Sequence, residues 1–205
     1  MARFPIRVAG CLLLFLTHSI TSSAQAPPSS PPQTQGPATK IESLLITKGS
    51  LVSKDFFPQG KMIGRMGGGS ASVEAIIASR VGSNTSATKG LRIEVKEGGR
   101  LERSNTSFLD LEEIGDLLRA IDYFISPASQ EEPPAGQSTL DMTPHRETTF
   151  ATKGDFSLTC FGLPAKRNCA IQSGRIGSTS VFIEGSQLAE LKMMVEHART
   201  ILQPQ

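Results

Sequence analysis

Residues 87–125, ATKGLRIEVKEGGRLERSNTSFLDLEEIGDLLRAIDYFI, decide how the rest of the chain is read. Leu91, Ile93 and Val95 alternate with Arg92, Glu94 and Lys96, the two-residue period of a half-buried strand. Gly98-Gly99 reads as a two-residue turn into a returning strand that carries Arg100, Glu102 and Arg103. Ser107 to Asp110 then forms a short strand, and a helix follows. Its apolar positions are Leu111, Ile114, Leu117, Leu118, Ile121, Phe124 and Ile125, spaced to fall on one helix face. Asp110 and Glu113 have the spacing of a capping box, with Leu109 and Ile114 placed to form a hydrophobic staple.

A looser copy begins at Ala151-Thr152-Lys153-Gly154. Phe156, Leu158 and Cys160 alternate with polar residues, matching Leu91, Ile93 and Val95, and Val181–Glu184 matches Ser107–Asp110. An offset of 77 carries the first helical stripe onto Leu188, Leu191, Met194, Val195, Ala198, Ile201 and Leu202, all apolar. Ser186 is the expected cap of this second helix. The repeat predicts an α+β domain: an antiparallel sheet with two helices on one side, built from pseudo-equivalent halves at 41–126 and 148–203.

Working outward, Leu44-Leu45-Ile46, Lys48-Gly49 and Leu51-Val52 are expected to form a hairpin ending at Phe56-Phe57-Pro58, with Lys61-Met62-Ile63 opening another strand. Gly64 to Ser70 lacks the lysine of a phosphate-binding loop and is read as a turn. Residues 72–81 are assigned to a strand, with Gly82 to Thr85 as its loop. Residues 127–147, rich in Pro, Glu and Ser, are expected to form a surface connection between the halves.

At the start of the chain, Arg3 and Arg7 precede an apolar run from Val8 to Leu16 and then small and polar residues. This is the pattern of a secretory signal over 1–24, cleaved after Ala24 or Ala26. Its core is half the roughly 20 residues that a spanning helix requires, so no transmembrane span is expected in the mature chain. Residues 25–40, with Pro27-Pro28 and Pro31-Pro32, have the composition of an extended tether. The expected localisation is periplasmic or secreted. Removing two arginines and no acid leaves nineteen cations against nineteen carboxylates. That balance argues against nucleic acid or an anionic membrane as partner. Cys11 leaves with the signal; Cys160 and Cys169 remain on alternating apolar positions and are expected to form a disulfide.

No residue pattern points to catalysis, a metal or a cofactor. His145 is the one base placed for a hydrolase, and no serine sits in a nucleophile elbow. The weak binding candidates are Arg92, Glu94 and Lys96, expected to face Arg100, Glu102 and Arg103 across the hairpin. The expected function is a non-enzymatic binding or interaction module of the bacterial envelope, with an unidentified protein partner.

Two resemblances accompany these readings. Gly90-Leu91-Arg92-Ile93-Glu94-Val95, with Thr106-Ser107-Phe108-Leu109-Asp110 and Ala120-Ile121-Asp122-Tyr123, resembles a family of uncharacterised bacterial proteins over residues 44–125 and implies no activity. The order of strands followed by a helix, given twice, is similar to the Whirly and Pur-alpha single-stranded nucleic-acid binders. Those use basic and aromatic sheet faces, whereas this chain is neutral and poor in aromatics. Single-strand binding is therefore the alternative function, and a hydrolase using His145 the third.

Overall fold

The structure, a computed structural model, describes residues 36–65, 68–100, 102–126, 147–162, 167–174 and 177–203. The expected signal and most of the tether, the connection 127–146 and His145 lie outside these residues.

Where a hairpin was expected at 44–52, the described residues instead begin with a helix, α1 (Lys40–Leu45). The reason is local. Thr39 accepts a hydrogen bond from the Glu42 N–H, and the Glu42 carboxylate accepts from the Thr39 N–H, a complete capping box. Phe56 to Ile63 is likewise one strand and not two. β1 (Val52–Ile63) passes through Pro58 and Gly60 with a bulge, which absorbs the residues that read as a break. The strand expected over 72–81 is present as β2 (Ser70–Arg80), followed by β3 (Thr88–Lys96) and β4 (Ser104–Asp110). A single 3₁₀ turn (Leu111–Glu113) leads into α2 (Ile114–Ile125).

The second half repeats this order: β5 (Glu147–Ala151), β6 (Phe156–Phe161), β7 (Asn168–Ser173), β8 (Thr179–Glu184), a 3₁₀ turn and α3 (Leu188–Leu202). The α+β class, the two long helices and the pseudo-repeated halves stand. The strands divide into two antiparallel sheets of four, ordered β1-β2-β3-β4 and β5-β6-β7-β8.

The element correspondence differs from the one read in sequence. The two Thr-Lys-Gly stretches are not equivalent: Thr88–Gly90 lies inside the third strand of its half, and Thr152–Gly154 precedes the second strand of the other. Both strands alternate because both are half-buried, so period alone does not distinguish them. The helices align at an offset of 74, fixed by matching caps. Asp110 pairs with Glu113 before α2, and Glu184 pairs with Gln187 before α3; Ser186 is not the cap. The shift from 77 is nearly one helical turn, so both frames land on the same stripe. The frame of 77 wrongly put Leu111 and Ile125 in the core, and they are 37% and 40% exposed.

One core joins the halves. Leu91, Ile93, Val95 and Leu109 from the first sheet share it with Leu158, Ile171, Val181 and Ile183 from the second, and with the stripes of α2 and α3. The helix of the second half lies on β1, β2 and β3 of the first. Gly60 makes this close approach possible, since a Cβ there would lie 2.5 Å from the Met194 Sδ of α3. The buried hydroxyls of Ser107 (β4) and Ser173 (β7) bond each other at 2.7 Å across the junction of the sheets.

Candidate functional site

Each sheet has one face in the core, so alternation places the intervening residues on the other face. On the first sheet, register puts Glu74, Arg92 and Phe108 in one row, with Ser72, Glu94 and Thr106 in the next and Ser70, Lys96 and Ser104 in a third. Arg92 bonds Glu74 at 2.6 Å and Glu94 at 3.3 Å, and Lys96 reaches Glu94 at 3.3 Å. The guanidinium also lies 5.8 Å from the Phe56 ring centroid. The structure thus brings Arg92, Glu94 and Lys96 together and adds Glu74 and Phe56. Those two belong to β2 and β1, and only strand register reveals them.

The other three candidates are elsewhere. Gly98-Gly99 does not close a two-residue turn: Lys96 pairs with Ser104, so Arg100, Glu102 and Arg103 belong to the connecting loop. The Glu97 carboxylate organises that loop. One oxygen accepts from Arg103 at 2.6 Å and the other from the Ser180 N–H at 3.1 Å, tying the loop to β8. The Arg103 guanidinium, followed by the Ser180 N–H, holds the Glu97 carboxyl below its ordinary pKa. Arg100 and Glu102 are exposed.

On the outer face of the second sheet, Phe161 and Phe182 meet edge to face, 6.2 Å between centroids. They flank Thr159 and Ala170, small residues of the central strands, and form an open hollow of about 290 Å³ that Glu147 and Gln172 also line. The β1–β2 turn reaches this end of the molecule, where Arg65 contacts Asn168 and Glu184. The expected disulfide is present: Cys160 and Cys169 are directly opposite on β6 and β7 and are bonded.

The edge of the first sheet is the other unusual surface. β1 is an outer strand of the sheet, and residues 53–58 are exposed on both faces. Phe56 is 44% exposed, Phe57 37%, Ile63 59% and Leu51 71%, with Val81 alongside Leu51 at 55%. Lys54, Asp55 and Lys61 have no ion-pair partner among the described residues.

Among the described residues no group of His, Cys, Asp and Glu is arranged to hold a metal ion, and no helix is long and apolar enough to cross a membrane. His197 is exposed on α3. Compared with protein families, curated proteins and solved structures, the chain matches none.

Proposed function

We propose that this chain is an exported, non-enzymatic interaction module of the bacterial envelope, and that it binds a protein partner through β1 and the adjoining outer face of the first sheet. The observation that carries this reading is the pair of exposed phenylalanines on an edge strand, Phe56 and Phe57, with Leu51 and Val81 exposed beyond its start and Ile63 at its far end. Neighbouring apolar side chains left exposed on an edge strand mark a candidate interaction surface, whereas isolated ones need no explanation. The signal-like start and the Cys160–Cys169 bond favour an oxidising compartment outside the cytoplasm.

Single-strand nucleic-acid binding is the second reading, favoured by the twice-given order of four strands and a helix. Against it, Arg92 is neutralised by Glu74 and Glu94 on the very face that would have to meet phosphate.

A photo-crosslinking residue at Phe56 tests the first reading in the native envelope. A discrete protein adduct should form from Phe56 and not from the exposed position Arg199 on α3. Equal labelling from both positions sinks the reading. Salt-dependent oligonucleotide binding that falls on Arg92→Ala would favour the second.

A further inference from the structure

Resting on that reading, we propose that β1 binds its partner by strand addition. The partner supplies an extended segment, acidic opposite Lys54 and basic opposite Asp55, as a fifth strand of the first sheet. The backbone argument comes first. The Val81 N–H donates to the Leu51 carbonyl, so these opposite residues form a hydrogen-bonded pair. Antiparallel pairs alternate, so Ser53, Asp55 and Phe57 point their backbone groups toward β2. Val52, Lys54, Phe56 and Pro58 therefore point theirs outward, at an edge that pairs with no further strand among the described residues. Proline has no N–H, and it occupies one of the outward positions, where no ladder bond is lost. The bulge between Pro58 and Gly60 then interrupts the edge. Strand addition is thus confined to Val52–Phe57.

The side chains fit the same mode. Phe56 lies on the outer face and Phe57 on the inner, and an added strand, whose own side chains alternate, covers both. Lys54 (outer) and Asp55 (inner) offer opposite charges on opposite faces, which specifies the partner's acidic and basic positions.

A second copy of this chain fits poorly. Two-fold pairing centred on Lys54 opposes two lysines, and centring on Asp55 opposes two carboxylates. Centred on Phe56 or Phe57, it puts Pro58 at a hydrogen-bonding position, and centred on Ser53 it leaves both phenylalanines uncovered.

The test titrates the ¹⁵N-labelled mature chain with the capped peptide Leu-Val-Lys-Glu-Thr-Val, which antiparallel pairing sets against Phe57 to Val52. The control is Leu-Val-Glu-Lys-Thr-Val, which sets like charges opposite both Lys54 and Asp55. The first peptide should shift amide resonances over 52–57 and slow hydrogen exchange of the Val52, Lys54 and Phe56 N–H groups. The control should bind about tenfold more weakly, two like-charge contacts costing roughly 1.4 kcal/mol. The double variant Lys54→Glu with Asp55→Lys should exchange the two preferences. Equal binding of both peptides, shifts confined to the Phe161–Phe182 hollow, or edge protection that grows with protein concentration alone would each overturn the proposal. A Phe56 adduct in the envelope without edge protection would overturn strand addition and leave the interaction reading standing.

Discussion

Asp110 does the work of two residues. Its N–H donates to the Glu113 carboxylate at 3.1 Å in the capping box that begins the turn before α2. Both of its own carboxylate oxygens accept from the Lys40 N–H at 3.0 Å, and one also accepts from the Ile41 N–H at 3.3 Å. The carboxylate is thus the anchor that holds α1 against the first sheet, and it is 2% exposed. Asp110→Ala should lower unfolding free energy by about 2 kcal/mol, and Asp110→Asn, which keeps one oxygen, by about half that, measured by urea denaturation. The capping role was legible in the Asp110–Glu113 spacing. The tie to Lys40 was not, because the two residues lie seventy positions apart and only folding brings the groups together. Glycines divide by the same logic. A Cβ at Gly154 would run into the Phe108 carbonyl oxygen, whereas one at Gly115, within α2, meets nothing nearer than Arg119 at 3.8 Å. Gly154→Ala should therefore cost about 2 kcal/mol or more, and Gly115→Ala should gain about 0.5–1 kcal/mol from helix propensity. Equal effects from the two would contradict the packing.

At the scale of elements, the β6–β7 hairpin is held by its ladder and by Cys160–Cys169. The pair was readable because both cysteines fall on apolar positions of adjacent alternating runs. Replacing both with serine should lower stability by about 2–3 kcal/mol, and dithiothreitol should shift the wild-type midpoint in the same direction while leaving the variant's unchanged. The β3–β4 loop carries an acid-sensitive contact. The folded pKa of Glu97 is depressed, so its contribution is present above the unfolded value of about 4.3 and is lost as pH falls through the folded value. Thermal midpoints collected from pH 6 to pH 2 should fall less steeply for Glu97→Gln than for the wild type. An unchanged slope would mean that the Arg103 and Ser180 contacts add nothing. The loop itself was misread because Gly98-Gly99 has the composition of a tight turn. The pairing of Lys96 with Ser104 decides its length, and that pairing belongs to two strands at once.

Across the whole molecule, the halves are not separable units. α3 of the second half covers β1, β2 and β3 of the first, and the Lys89 ammonium bonds the Leu202 carbonyl at the end of α3, at 2.9 Å. In the other direction, the Arg167 guanidinium donates to the Phe124 carbonyl of α2, and the Lys153 N–H donates to Glu113. A fragment ending at residue 126 should therefore lack dispersed amide resonances, whereas the whole chain should unfold in one cooperative transition. A folded fragment would refute the shared core. The sequence by itself determined the α+β class, the doubled order, both helical stripes and the cysteine pair, because these follow from periodicity and local caps along a continuous stretch. Only tertiary structure decided that the strands form two sheets, that α3 lies on the first half's sheet, and that Glu74 and Phe56 join Arg92. Those facts are set by which side chains fill a common core and by register between distant strands, where one residue of slip reverses every face.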